Sequence, residues 1–110
     1  MSSGRVTRLP LSELPFSPSP THPLEAKKVV PGFGAGLLRF APGFSDPNWC
    51  ERSHVLYVLE GALELELPDR IERMEAGDAC WVERGSAHRA RNPGASCAVV
   101  FIVSDVAASS

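Results

Sequence analysis

Two stretches decide how this chain folds: Cys50-Glu51-Arg52-Ser53-His54-Val55-Leu56-Tyr57-Val58-Leu59, and Ala79-Cys80-Trp81-Val82-Glu83-Arg84-Gly85-Ser86-Ala87-His88. In each, a short polar cluster abuts a run of β-branched and aromatic residues, the side chains that fit a pleated, half-buried surface. If both runs are strands of one small barrel, Cys50, His54 and His88 meet in its mouth, although the sequence keeps them far apart.

Working outward, the chain reads as strand and turn in quick alternation. Leu63, Leu65 and Leu67 alternate with Glu64 and Glu66, a half-buried strand with an acidic outer face. Pro68-Asp69-Arg70 is a hairpin turn, Ile71–Met74 a return strand, and Ala76-Gly77-Asp78 and Glu83-Arg84-Gly85 are further turns. Ala87–Arg91 is strand-like, and Cys97–Val103 is a continuous apolar run suited to a central strand. Upstream, Lys27–Val30 and Leu37–Phe40 read as strands, and Phe44–Asn48 reads as a loop. The sum is about eight short strands with turn signals every 8–12 residues and no helix, the pattern of an antiparallel sandwich or barrel. The predicted fold class is therefore all-β, a small antiparallel β-barrel or jelly roll, over residues 29–104.

Residues 1–28 form a Pro-rich, extended N-terminal arm: Pro10, Pro15, Pro18, Pro20 and Pro23 fall within fourteen residues and exclude a regular helix. Leu9, Leu11, Leu14 and Phe16 are too apolar for a free tail, so part of the arm should lie on the domain or on a partner chain. His22, within it, reads as solvent-exposed. Residues 105–110 read as a frayed C-terminal tail. Both faces of Val55–Leu59 are apolar, so the face turned from the core needs cover, and a homodimer is expected.

Composition narrows the class. The 110 residues suit one domain, and a 44% apolar and 22% charged content is ordinary for a globular protein. A formal net charge of -2 gives no reason to expect nucleic acid or an anionic membrane as partner. No apolar run reaches the roughly 18 residues a membrane helix needs. Three cysteines, an odd number, argue against a disulfide framework and fit a reducing cytoplasm. Cys80 and Cys97 fall in apolar runs and read as core.

At this point the residues resemble the cupin superfamily. Gly77, Glu83, Gly85, His88 and Asn92 follow its second motif, G-x5-P-x-G-x2-H-x3-N, with Glu83 in the proline position. The first motif, G-x5-H-x-H-x3/4-E-x6-G, is present in outline: Gly61 takes its last glycine, His54 its glutamate position, and Asn48 and Cys50 its two histidine positions. The resemblance covers residues 35–103. It implies a double-stranded β-helix and a divalent metal, held in such proteins by three histidines and a glutamate. Here the anionic ligand would be the Cys50 thiolate.

Residues two apart on a strand share a face. Extended backbone through this segment would turn Asn48, Cys50, Arg52 and His54 the same way, with Leu56 and Val58 continuing inward and His88 on a facing strand. Cys50, His54 and His88 make three strong ligands with an open position, the layout of a catalytic zinc or similar site. Thiolate with imidazole favours zinc, with iron, nickel or copper as alternatives, over magnesium or calcium. Asn48 and Arg52 are candidate ligand-binding groups, Arg52 for an anionic ligand. Leu56, Val58, Trp81 and Phe101 are candidate walls of an apolar pocket for a small organic molecule. The expected function is a small metal-binding cupin, with isomerase, lyase or dioxygenase chemistry all compatible. The alternative is a non-catalytic binding or sensing module without metal, in which Cys50 is a buried small hydrophobe and His54 a polar cap. A metal-free redox thiol at Cys50 is a third reading.

Overall fold

The structure, a computed structural model, describes residues 4–105. Among them, a 3-10 turn at Leu11–Glu13 precedes nine strands. These are β1 (Ser17–Pro18), β2 (Glu25–Val29), β3 (Ala35–Phe40), β4 (His54–Glu60), β5 (Ala62–Glu66), β6 (Ile71–Glu75), β7 (Ala79–Val82), β8 (Arg89–Arg91) and β9 (Ala98–Ser104). All pairings are antiparallel. One sheet has the order β1-β2-β3-β9-β4-β7 and the other β6-β5-β8. Neither sheet closes on itself; the architecture is two open antiparallel sheets that share one core. The apolar run near the C-terminus is central, as its continuous hydrophobicity predicts, because β9 is flanked by β3 and β4.

Strand register decides which side chains fill the space between the sheets. Leu38, Val100 and Val58 lie side by side in one inward row, and Ile102, Leu56 and Cys80 in the next. From the smaller sheet Leu63, Leu65 and Met74 meet them, with Phe40, Phe44 and Val82 completing the core. Val58 and Val100 are fully buried. Each such aliphatic side chain contributes roughly 1.5–3 kcal/mol on leaving water.

Between the inward rows lie outward ones: Leu37, Phe101 and Tyr57, then Val103, Val55 and Trp81. The N-terminal arm covers part of this face. Phe16 stacks under the Lys28 ammonium and the Arg39 guanidinium, and Lys28 Nζ donates to the Leu11 carbonyl at 3.0 Å. Cover stops short of β4 and β7, where Tyr57, Leu59 and Trp81 remain 42, 45 and 50% exposed.

The motif positions have physical causes. Gly61, between β4 and β5, has φ +74°, and a Cβ there would sit 2.6 Å from the Cys97 carbonyl oxygen. Only glycine meets both demands. Asn92 is buried and ties its own turn to the end of β3: its amide donates to the carbonyls of Phe40 (3.0 Å) and Ser96 (2.9 Å) and accepts from Gly94 N–H (2.9 Å).

Several expectations differ from what is observed. Strand β2 begins at Glu25, inside the stretch read as arm. His22 is half-buried, its ring edge-on to Phe44 at 4.7 Å. Phe44 lies in a loop, as read, yet is buried and stacks on Phe40 at 4.4 Å. Cys97 is exposed rather than core, since β9 starts one residue later. Of the tail expected at 105–110, residues 106–110 lie outside the described residues. Asp105 is held by Arg52 instead of fraying.

Candidate metal centre

Cys50 and His88 come together through the backbone first. Each donates its N–H to the other's carbonyl, at 2.8 and 3.0 Å, in an isolated bridge outside the regular strands. His54 opens β4 four residues later, on the inward face. The three ligand atoms, Cys50 Sγ and one ring nitrogen from each histidine, lie within 4.8 Å of one another. Cys50 Sγ is 3.5 Å from His54 Nε2, and the two imidazole rings are nearly perpendicular, 5.2 Å apart at their centres. Both histidines are buried and Cys50 is half-buried.

What lies behind each ring fixes its orientation. His88 Nδ1 is 2.7 Å from the Ser86 carbonyl oxygen. A carbonyl only accepts, so Nδ1 carries the proton and Nε2 keeps its lone pair for the cluster. His54 Nδ1 is 3.1 Å from Ser104 Oγ, and Ser104 is its direct neighbour on β9. With Nδ1–H donated to that hydroxyl, His54 Nε2 also presents a lone pair. Such partners behind a ligating imidazole set its tautomer and raise its basicity. Burial pushes the His54 pKa below the ordinary imidazole value, and His88 and Arg52 lower it further, against an opposing effect of Asp105. The neutral imidazole that results is the form that binds metal. Thiolate sulfur and two imidazole nitrogens at this separation fit zinc or a neighbouring transition metal.

A cavity of about 260 Å3 opens on the cluster between the sheets. Leu38, Phe40, Phe44, Leu56, Leu63 and Ile102 line its depth, and Glu25, Asp46, Arg52 and Arg89 its rim. A larger cleft of about 480 Å3, between β6 and β7, reaches His88 and Leu65 from the other side but not Cys50 or His54.

The alternation expected through 48–54 breaks at Arg52, where the chain bends. Cys50 and His54 still share the interior, but Ser53 is buried and the Arg52 guanidinium turns to solvent, paired with Asp105 at 2.6 and 3.2 Å. That pairing raises the pKa of Arg52 and lowers that of Asp105. Arg52 still borders the cavity, with its guanidinium held by Asp105. Asn48 is exposed and away from it, its N–H donated to Asp46 Oδ1 in a tight turn. Leu56 does line the cavity, whereas Val58 is one row deeper in solid core. Trp81 and Phe101 lie on the outward face, because they pair with Val55 and Tyr57 rather than with inward residues. Trp81 edges only the larger cleft. Burial pushes the Cys80 thiol up, as suits an inert residue between core neighbours.

Sequence reasoning passed over Ser104, Asp105 and Ser86, which position or flank the three ligands. It also passed over Arg89, whose guanidinium pairs with Glu66 at 2.9 and 3.2 Å and lies 4.3 Å over the Trp49 ring. The one available signal was the serine ending the β9 run in register with His54.

Two antiparallel sheets with a cavity lined by Cys50, His54 and His88 define a class, and the class has a family. The Cupin domain family model matches residues 36–104, and the chain belongs to that family. Curated protein sequences yield no match. Solved structures agree on the fold. The cupin domain of Schizosaccharomyces pombe Cnp3 superposes with a TM-score of 0.71 at 18% identity, over 94% of this chain and 71% of that one. The polyketide cyclase RemF of Streptomyces resistomycificus gives 0.70 at 24% identity, over 93% and 81%. A sugar phosphate isomerase of the cupin superfamily from Silicibacter pomeroyi gives 0.72 at 20% identity, over 92% and 76%. Among the described residues no helix is long and apolar enough to cross a membrane.

Proposed function

We propose that this cupin holds a divalent transition metal, zinc first, through Cys50 Sγ, His54 Nε2 and His88 Nε2, and binds a small organic ligand in the adjoining cavity. The observation that carries the reading is the orientation of the two imidazoles. Each has a hydrogen-bond partner at Nδ1; His54 Nε2 faces the Cys50 thiol, and a ring nitrogen of each histidine lies within 4.8 Å of it. A bound divalent ion would act as a Lewis acid on a carbonyl or hydroxyl oxygen. The chain's own contribution is to hold three donors, keep His54 neutral, and line the space beyond with apolar side chains that exclude water. Enzymes occur among proteins of this fold, including a polyketide cyclase and a sugar phosphate isomerase.

The two sheets would then be the halves of a jelly roll. The apolar outer face around Tyr57, Leu59 and Trp81 would pair with a second copy of the chain, and free thiols suit a reducing cytoplasm.

Elemental analysis of protein purified without chelator tests the metal reading. Near-stoichiometric zinc, iron, nickel or copper, lost in Cys50→Ser and His88→Ala, is expected. Metal below about a tenth of an equivalent, with none gained on reconstitution, supports the metal-free binding module instead.

A further inference from the structure

The charges around the cavity say which ligands it takes, an inference that rests on the reading above. Two cations stand at the rim, and neither is free. Arg52 is held two-pronged by Asp105, and Arg89 two-pronged by Glu66 while its face rests on Trp49. Planar guanidinium–carboxylate pairs of this form satisfy the donors an anionic ligand would need. Glu25 and Asp46 are the carboxylates of the rim itself. With both arginines already held, neither guanidinium is offered to a phosphate monoester or a dicarboxylate, and the two rim carboxylates oppose its approach. Below the rim the walls are aliphatic and aromatic, and the volume of about 260 Å3 is just under the usual range for small-molecule pockets, about 300–1,000 Å3.

We propose that the cavity selects a compact, largely apolar molecule presenting one oxygen donor, an enol or phenol, to the Cys50–His54–His88 cluster, and rejects phosphorylated and polyanionic compounds. The oxygen is the group the cluster recognises, and the apolar body fills the space between Phe40, Phe44 and Leu63. A sugar phosphate fails on two counts: its hydroxyls find no polar partners among the aliphatic and aromatic walls, and its phosphate meets arginines whose donors are already taken by Asp105 and Glu66.

The test is calorimetry and thermal melting with three compounds at equal concentration: cyclohexane-1,3-dione, 4-methylphenol and glucose 6-phosphate. Each is run on zinc-loaded and on chelator-stripped protein, with metal content measured in parallel. The expected result is binding of the dione and the phenol at least about tenfold tighter than of the sugar phosphate. Glu66→Gln and Asp105→Asn, which release Arg89 and Arg52, should each improve glucose 6-phosphate binding roughly two- to fivefold. A wild-type protein that binds the sugar phosphate as tightly as the phenol, in both metal states, overturns the proposal. So do released arginines that gain nothing. If no zinc is taken up but the stripped protein still prefers the apolar compounds, the cavity's selectivity stands and only the metal reading fails.

Discussion

Replacing Ser104 with alanine is the sharpest probe of how the cluster is built, because it alters none of the three ligands. The hydroxyl lies 3.1 Å from His54 Nδ1, and His54 is 8% exposed. If Nδ1–H donates to that hydroxyl, as metal binding through Nε2 requires, its removal leaves the proton without a partner and the tautomer carrying hydrogen on Nε2 becomes competitive. That tautomer aims a proton at Cys50 Sγ, 3.5 Å away, and cannot ligate. Losses of about 10–100-fold in metal affinity follow removal of such supporting groups, equivalent to roughly 1.4–2.7 kcal/mol. The buried Nδ1 also loses its partner, which costs about 1–3 kcal/mol of folding stability. The assay is zinc titration against a chromophoric chelator at neutral pH, with urea unfolding of the metal-free protein alongside. Cys50→Ser and His88→Ala should lose more than Ser104→Ala, since each removes a ligand outright. Ser104→Thr, which keeps a hydroxyl, should restore most of the affinity. Zinc affinity in Ser104→Ala within about twofold of wild type would refute the argument that Ser104 sets the His54 tautomer.

Three further outcomes follow from the structure. The folded-state pKa of His54 lies below its unfolded value near 6.5; the unfolded chain therefore binds more protons below that point, and stability falls as pH drops. Metal-free protein should melt progressively lower from pH 7 to 5, and a His54→Gln variant should show a shallower acid limb; equal slopes contradict the assignment. Asn92→Ala should cost about 2–3 kcal/mol in urea unfolding, because the Phe40 carbonyl is left buried without its donor. Zinc uptake should survive, as Asn92 does not border the cavity, and a loss under about half a kcal/mol would show the clamp to be dispensable. Tyr57→Glu with Trp81→Glu should convert a dimer to monomer in sedimentation, with metal content unchanged; a wild type already monomeric at high concentration removes the dimer reading.

The sequence by itself determined the strands from residue 35 onward, the turns between them and the three candidate ligands, but read β1 and the start of β2 as arm. Period-two alternation in Leu63–Leu67, the unbroken apolar run of β9 and the turn residues at Pro68–Arg70, Gly77 and Gly85 are local signals, each set by backbone preference and burial within a few residues. His88 was legible because it falls on the histidine position of the second cupin motif, between Gly77 and Asn92. Side-chain direction was less so. Trp81 and Phe101 sit in strands whose two faces are both apolar, and an all-apolar pattern carries no phase; only pairing with Val55 and Tyr57 turned them outward. Arg52 follows the same logic from the other side. The two-residue rule assumes a continuously paired, extended backbone, whereas this segment is held by scattered hydrogen bonds, from His88 to Cys50, Gly85 to Glu51 and Asp105 to Ser53, and bends at Arg52. Ser104, fifty residues from His54, and Asp105, fifty-three from Arg52, reach their partners only when β9 lies beside β4. Ligand identity is written locally in this chain, and so is the Ser86 carbonyl behind His88; Ser104 behind His54 and Asp105 beside Arg52 come from a distant segment, and long-range strand pairing brings them there.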